Sequence, residues 1–240
     1  MTWDGLDEAG VRALTGAPRA WLLDAVPSVL DVAHELAADG APSGTLVLAE
    51  EQTEGRGRSG RSWHSPRGTG IWMALLMRPK EPPLGGALGI RVGLALVGAL
   101  RERQRVLPVA LKWPNDVVVQ GRKAGGVLCE ARWLGPRLGW IAAGIGLNVR
   151  GPVDERVRDT AMALDVADET LTRREVLAAV VPRLLTIDQQ PPALSPEERV
   201  LFLRRQFVPP GSGTVVGLEA DGALLLQRAN GSLERRTIPE

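Results

Sequence analysis

Runs of apolar residues in the first half of the chain alternate between spacings typical of strands and of helices. The segment WLLDAV (21–26) predicts a short strand, and TLVLAE (45–50) predicts a second strand that runs into a loop. The run GIWMALLMRP (70–79) is almost continuously apolar, which predicts a strand buried on both faces. Helices are predicted over Val29–Ala38 and over 84–104.

The middle of the chain predicts further strands and two more helices. VALKW, DVVVQ and GGVLCEARW predict three consecutive strands, with Gly121-Arg122-Lys123 as the turn between the last two. GWIAAGIGLNV (139–149) predicts another strand, and helices are predicted over 172–187 and 196–207. Ser195 is a good N-cap for the second of these helices, because a proline and two glutamates follow it.

A boundary is predicted at Pro209-Pro210-Gly211. Three short strands joined by Asp-Gly and Asn-Gly turns are expected beyond it. Roughly 30 residues of β-meander bury little surface alone, so a small barrel packed against the main domain is expected. We therefore divide the chain into a main domain over 1–190 and a linker helix with a β-barrel over 191–240.

Composition narrows the class of protein. With 240 residues, of which 44% are hydrophobic, the chain is long enough for one substantial core. No apolar run reaches the ~18 residues that span a bilayer, and the first residues do not resemble a secretory signal. A net charge of +1 does not indicate general nucleic-acid binding. The single Cys129 excludes an internal disulfide and fits a reducing compartment, so a cytoplasmic protein without a membrane partner is expected.

The segment QTEGRGRSGRSW, from Gln52 to Trp63, interleaves glycine with arginine. Glycine lets the backbone adopt positive φ and approach a ligand closely, and guanidinium groups donate paired hydrogen bonds to carboxylate and phosphate oxygens. A loop built from both can close over a small anionic ligand, and Trp63 can stack on a flat ring. The alternative is a flexible basic loop that binds anions or nucleic acid without specificity.

The segment LKWPNDVVVQGRKAGGVLCE (111–130) is the second candidate for chemistry. Its proline favours a turn whose apex offers the Asn115 amide and the Asp116 carboxylate. Lys112 and Lys123 flank these groups, although only three of the 29 lysine and arginine residues are lysine. A compact ammonium suits a tight site that a planar guanidinium does not fit. The alternative is structural: an ordinary turn, and a lysine at a hairpin tip.

The segment GIGLNV (144–149) places alternate glycines on a predicted strand. This spacing leaves room for a ligand against the backbone, and Asn148 offers both a donor and an acceptor. Close crossing of another element explains the glycines equally well.

Together these segments resemble the biotin protein ligase family, over roughly residues 20–240. The matching stretches are EEQTEGRGRSGRSWHSPRGTGI, LKWPNDVVVQGRKAGGVLCE and AAGIGLNV, in the family's order and spacing. The resemblance implies an α+β fold of the biotin/lipoate ligase type, with a mixed β-sheet backed by helices and a small C-terminal SH3-like β-barrel. The first 20 residues are too few for the family's DNA-binding domain, so no specific DNA partner is expected. Family members often dimerise through their sheets, which makes a homodimer one expectation.

The resemblance also implies a two-step reaction. Biotin and MgATP give biotinyl-5′-AMP and pyrophosphate, and the acyl group then passes to a lysine of biotin carboxyl carrier protein, a subunit of acetyl-CoA carboxylase. Both substrates of the first step are anions, so catalysis is expected to consist mainly of positioning and charge neutralisation. Two alternatives stay open: a lipoate or octanoate ligase with the same fold, and a non-enzymatic module that binds phosphate or nucleic acid.

The family's functional residues are carried over by position. Lys123 is the implied catalytic lysine, which bridges the biotin carboxylate and the α-phosphate, and Arg58 is the second implied catalytic residue. The implied biotin site consists of Ser28, Gln52, Arg56, Gly57, Arg58, Lys123, Gly125 and Gly126. The implied ATP site consists of Gly55, Arg56, Arg58, Arg61, Trp63 (stacked on the adenine), Lys112, Asn115 and Asn148. Asp116 is the implied ligand of Mg²⁺.

One stretch departs from the family pattern Asp-Ser-Thr-Asn. Here Pro27-Ser28-Val29-Leu30 keeps the serine but lacks the threonine hydroxyl and the asparagine amide. A lost hydrogen bond to a neutral group is worth about 0.5–1.5 kcal/mol, so weaker biotin affinity is expected. His34, in the helix that follows, is expected to be solvated or satisfied locally.

Overall fold

The computed structural model of the chain describes residues 1–103 and 108–238. Within these ranges the helices are α1 (Glu8–Thr15), α2 (Val29–Ala38), α3 (Ala87–Arg103), α4 (Arg173–Leu184) and α5 (Pro196–Arg205). The strands are β1 (Arg19–Val26), β2 (Thr45–Gln52), β3 (Gly70–Met77), β4 (Val109–Lys112), β5 (Asp116–Val119), β6 (Arg122–Leu134), β7 (Arg137–Asn148), β8 (Thr214–Leu218), β9 (Leu224–Gln227) and β10 (Leu233–Arg236). No helix in the described part of the chain is both long enough and apolar enough to cross a membrane.

Seven strands form one mixed sheet in the order β1-β2-β3-β7-β6-β5-β4. β1 pairs with β2 in parallel, and the other neighbours in this sheet are antiparallel. β3 and β7 lie at its centre and are paired from Gly70 and Asn148 to Met77 and Ile141. The predicted mixed sheet is therefore confirmed, with both central strands where the apolar runs indicated them.

Helices cover both faces of this sheet. α2 packs on one face, where Leu30 joins a core with Ala74 of β3 and Ala142 of β7. α3 and α4 pack on the other face, in a larger core that includes Met73 of β3. Because alternate side chains of β3 enter these two cores, the strand is buried along its whole length, as its continuous apolar run predicts.

Two local features differ from the sequence-based expectations. The turn between β5 and β6 consists of Gln120 and Gly121, with φ of 49° and 77°. The predicted turn Gly121-Arg122-Lys123 is therefore wrong by about one residue, and Lys123 belongs to β6. α1 has no predicted counterpart. It begins after Asp7, whose side chain accepts from the Gly10 N–H, and it ends at a glycine with φ of 74°.

The last three strands form a separate antiparallel sheet in the order β10-β9-β8. The predicted Asp-Gly and Asn-Gly turns join them, and Ser195 caps α5 as predicted, in a capping box with Glu198. Over the described residues this small sheet is open, so the closed SH3-like barrel stays a prediction, as does the boundary at residue 190. The Asp221-Gly222 turn contacts the main domain, because the Trp113 indole N–H donates to the Gly222 carbonyl at 2.9 Å.

Candidate active site

Small residues line β6 and β7 on the face of the sheet that carries α2. Gly126 and Gly146 are paired across these strands, and Gly144 lies two residues before Gly146 on the same face. A Cβ on Gly144 would lie 3.0 Å from the Leu30 side chain, and a Cβ on Gly146 would lie 2.5 Å from Trp63 Nε1. Gly144 therefore makes room for α2, which agrees with the alternative that the glycines allow close crossing of another element. Gly146 instead lets Trp63, a candidate site residue, lie against the sheet.

The glycine–arginine loop (residues 53–63) follows β2 and folds back on itself. The Trp63 N–H donates to the Gly55 carbonyl at 2.7 Å, and the Gly57 N–H donates to the Arg61 carbonyl at 2.6 Å. A Cβ on Gly55 would lie 2.4 Å from the Trp63 carbonyl oxygen, so this close approach requires glycine. These contacts fix the position of Trp63 at the end of the loop.

Lys123 and Trp63 meet above Gly126. The Lys123 ammonium lies 5.1 Å from the centroid of the indole ring and makes an ion pair of 2.6 Å with Asp116. The Lys112 ammonium lies 3.9 Å from the second oxygen of the same carboxylate. The Lys123 side chain is 35% exposed, so a ligand can reach its ammonium. The indole N–H of Trp63 is buried and, within the described ranges, has no hydrogen-bond partner.

A β-bulge decides which face of the sheet Lys123 occupies. Asp116 pairs with Gly126 and Val118 pairs with Lys123, which leaves Ala124 as an extra residue on β6. Directly paired residues share a face, and so do alternate residues of one strand. The extra residue therefore places Lys123 on the same face as Asp116, and this geometry explains their ion pair.

The N-terminus of α2 lies beside Gln52. Ser28 is buried and caps this helix by accepting from the Leu30 N–H at 3.3 Å. Gln52 accepts from the Val29 N–H at 3.0 Å and donates to the Ser65 hydroxyl at 2.8 Å. The two predicted biotin residues thus lie close together, and each already makes hydrogen bonds within the protein.

The Arg56 side chain is held by two carboxylates. Its guanidinium donates to both oxygens of Glu130 (2.8 and 3.0 Å) and to both oxygens of Asp31 (2.8 and 3.0 Å). These bonds, first to Glu130 and then to Asp31, raise the pKa of Arg56, and the same contact lowers the pKa of Glu130. Sequence reasoning predicted a ligand role for Arg56 and did not identify either partner.

Glu130 also contacts His34. His34 Nε2 lies 3.1 Å from Glu130, and His34 Nδ1 accepts from the Trp140 indole N–H at 2.8 Å. The His34 side chain is only 11% exposed, and burial lowers its pKa. The expectation that His34 is solvated or satisfied locally is therefore wrong. No local signal could have revealed these contacts, because the partners lie 96 and 106 residues away along the chain.

The remaining predicted site residues surround this centre. Arg58 is half-exposed and Arg61 is exposed in the glycine–arginine loop. Asn115 donates to a main-chain carbonyl of β6 at 2.5 Å, and Asn148 donates to a carbonyl beyond β7 at 3.4 Å. Gly125 lies against a leucine side chain of β7, which would be 2.4 Å from its Cβ.

Comparisons with known proteins find relatives over most of the chain. The model of the biotin/lipoate A/B protein ligase family matches residues 27–148. The chain is 32% identical to the bifunctional ligase/repressor BirA of Bacillus spizizenii, over 87% of this chain and 69% of that protein. It is 31% identical to the biotin–[acetyl-CoA-carboxylase] ligase of Mycobacterium tuberculosis, over 90% of this chain and 86% of that protein.

Solved structures show the same fold. The biotin protein ligase of Aquifex aeolicus in complex with biotin and ATP is 28% identical, with a TM-score of 0.74 over 92% of this chain and 96% of that one. The Leishmania major biotin protein ligase in complex with biotinyl-5-AMP is 25% identical, with a TM-score of 0.65 over 92% of this chain and 99% of that one. Because the family model covers half of the sequence and the relatives align over most of it, this chain belongs to the biotin/lipoate A/B protein ligase family.

Proposed function

We propose that this chain is an ATP-dependent ligase that activates biotin as biotinyl-5′-AMP and transfers the biotinyl group to a lysine of biotin carboxyl carrier protein. The observation that carries the proposal is the meeting of Lys123 and Trp63 above Gly126 and Gly146, at the centre of the sheet. The names of the relatives support the choice of biotin, since one is a biotin–[acetyl-CoA-carboxylase] ligase and another was solved with biotin and ATP.

In the first step a carboxylate oxygen of biotin attacks the α-phosphorus of ATP, and the bond to the pyrophosphate oxygen breaks. Negative charge approaches negative charge, so a positive group between the reactants lowers the barrier. Lys123 is the residue for this role, because its ammonium is partly exposed and is held at 2.6 Å by Asp116. Asp116 orients Lys123 before the substrates bind, which reduces the reorganisation needed during the reaction.

Biotin is assigned to the space between the N-terminus of α2 and Lys123. Ser28 and Gln52 border this space, with the backbone of Gly125 and Gly126. The Gln52 amide uses one N–H and one lone pair within the protein. One N–H and one lone pair therefore remain for a ureido group.

The nucleotide is assigned to the other side of Lys123. Trp63 stacks on the adenine there, with Asn148 nearby. Arg58 and Arg61 bind phosphate and carboxylate oxygens, and Lys112 is a further phosphate contact. The glycine–arginine loop covers the ligand and excludes water, which protects an acyl phosphate from hydrolysis.

Mg²⁺ enters this site with ATP. Within residues 1–103 and 108–238, no group of three or more acidic, histidine or cysteine side chains is arranged to hold a metal alone. One carboxylate together with the substrate phosphates is a common way for proteins to hold Mg²⁺. Asp116 fits as that carboxylate, and the side-chain amide nitrogen of the neighbouring Asn115 is turned towards β6.

Three finer assignments belong to the same proposal. The three-stranded C-terminal sheet is part of an SH3-like barrel, in keeping with its two tight turns. A homodimer can form through β1 or β4, which are the edges of the main sheet. The protein is cytoplasmic, as its single cysteine suggests.

Acid-dependent exchange of radiolabelled pyrophosphate into ATP tests the reaction. We expect exchange with biotin, and much weaker exchange with lipoate or octanoate. Lys123→Ala should abolish exchange without unfolding the protein, whereas the matched variant Lys80→Ala, at an exposed position, should retain it. Exchange that is faster with lipoate, or that depends on no acid, would contradict the proposal.

A further inference from the structure

The Arg56 guanidinium has almost no remaining capacity to bind a ligand. It carries five N–H donors in a fixed plane, and four hydrogen bonds run to Asp31 and Glu130. Both partners accept in the paired geometry that matches a carboxylate to a guanidinium fork. A phosphate could replace these bonds only by releasing two carboxylates that face one cation.

Glu130 is itself held in place by a second layer of contacts. The Trp140 indole N–H donates to His34 Nδ1, so the proton of the neutral imidazole lies on Nε2, which donates to Glu130. Asp31 and His34 lie on α2, Glu130 lies on β6, and Trp140 lies on β7. Three rigid elements of the catalytic sheet thus converge on one loop side chain. We call these four residues with Arg56 the loop anchor.

Because of the position of Arg56 in the chain, its contact with Asp31 and Glu130 affects the whole loop. It lies between Gly55, whose carbonyl accepts from the Trp63 N–H, and Gly57, whose N–H donates to the Arg61 carbonyl. Fixing the Arg56 side chain therefore fixes the two hydrogen bonds that shape the glycine–arginine loop. The positions of Arg58 and Trp63 depend on this conformation of the loop.

We propose that the loop anchor holds the glycine–arginine loop in its binding conformation before any substrate arrives, and that Glu130 and His34 are positioning residues for the ligation reaction. The Arg56 side chain then stabilises the loop and does not bind substrate, and only the Arg56 backbone faces the ligand. The kinetic part of this proposal rests on the proposed function. Preorganisation of this kind lowers the entropic cost of binding, so the loss of the anchor should weaken binding more than it slows chemistry.

Hydrogen exchange of the ligand-free protein tests the anchor without reference to catalysis. We expect Glu130→Gln to speed exchange of the amides of residues 57–63 by about tenfold or more, because a charge-assisted hydrogen bond becomes a weak one. The matched control is Glu102→Gln, which removes one exposed carboxylate that pairs with Arg183 far from the loop. Equal exchange in wild type and Glu130→Gln, with the fold intact by circular dichroism, would overturn the proposal.

Kinetics separate an anchoring arginine from a phosphate-binding one. If Arg56 anchors the loop, Arg56→Lys and Glu130→Gln should each raise the KM for biotin by about tenfold, with kcat within about twofold of wild type. The double variant should be no worse than either single variant, because both remove the same contact. His34→Gln, which keeps an N–H near Glu130, should restore much of what His34→Ala loses.

A phosphate-binding Arg56 gives the opposite pattern, which would overturn the anchor. Arg56→Lys would then keep most activity, and Glu130→Gln would lower the KM for ATP by freeing the guanidinium. If the wild-type protein shows no biotin-dependent exchange of pyrophosphate into ATP, the proposed function is wrong. The hydrogen-exchange experiment then tests by itself whether the loop anchor holds the loop.

Discussion

Gly146→Ala should weaken the binding of ATP by displacing Trp63. A Cβ at this position would lie 2.5 Å from Trp63 Nε1, 2.6 Å from Cε2 and 3.0 Å from Cζ2, all shorter than a normal contact. Gly146 lies in β7, in the middle of the sheet, whereas Trp63 is a half-exposed side chain on a loop. The indole therefore moves in preference to the strand. Stacking of a base on an aromatic side chain is worth about 1–3 kcal/mol, so the KM for ATP should rise by about five- to 150-fold.

The assay is biotin-dependent pyrophosphate exchange over a range of ATP concentrations, with a thermal melt to confirm folding. Gly89→Ala is the matched control, because nothing lies within 4 Å of its Cβ position. Trp63→Ala should raise the KM for ATP by a similar factor, and the double variant should add little. A folded Gly146→Ala protein whose KM for ATP stays within about twofold of wild type would refute the reasoning. Additive losses in the double variant would show that Gly146 contacts the nucleotide directly.

Three other predictions address single groups. Val29→Thr restores a hydroxyl beside Gln52 and should lower the KM for biotin by about two- to twelvefold, the effect of one neutral hydrogen bond; an unchanged or higher KM contradicts this. Asp116→Asn should slow adenylate formation by about tenfold in single-turnover experiments and raise the half-saturating Mg²⁺ concentration. A normal rate would show that Asp116 is not needed to orient Lys123. An unchanged Mg²⁺ dependence would show that Asp116 does not bind the metal. Burial lowers the pKa of His34 below its ordinary value of 6.5. As the pH falls below 6.5, His34 is therefore protonated in the unfolded chain before it is protonated in the folded protein. The free energy of unfolding in urea should therefore decrease from pH 7.5 to pH 5.5 more in wild type than in His34→Gln, and equal slopes would contradict this.

Patterns within single elements predicted the fold well. The continuous apolar run of β3 indicated its burial on both faces, and α2 begins and ends where its pattern predicted. α1 was missed because it is only eight residues long and buries only two of them, so few positions indicate it. The turn at Gly121 was misplaced because Gln120 adopts positive φ, a conformation that a residue other than glycine seldom signals in sequence.

In the candidate site, too, some residues could be predicted from local motifs and others could not. Motifs indicated Trp63 and Lys123, and the structure brings the two together. The resemblance also indicated Arg56, but the carboxylates that hold its side chain could not be predicted. Glu130 lies 74 residues from Arg56 in sequence, and its role follows from strand pairing rather than from any local motif. Contacts between distant segments of this kind become visible only once the sheet is assembled.

The single surplus residue at Ala124 also bears on how this gene can change. Substitutions along β5 and β6 alter one side chain at a time. Removal of Ala124 instead restores regular pairing with Lys123 still opposite Val118, so the ammonium stays on the face of Asp116, but the extra bend and twist of β6 at the bulge are lost. The length of this short segment therefore sets the local shape of the strand that carries Lys123, a property that a change of one side chain leaves in place.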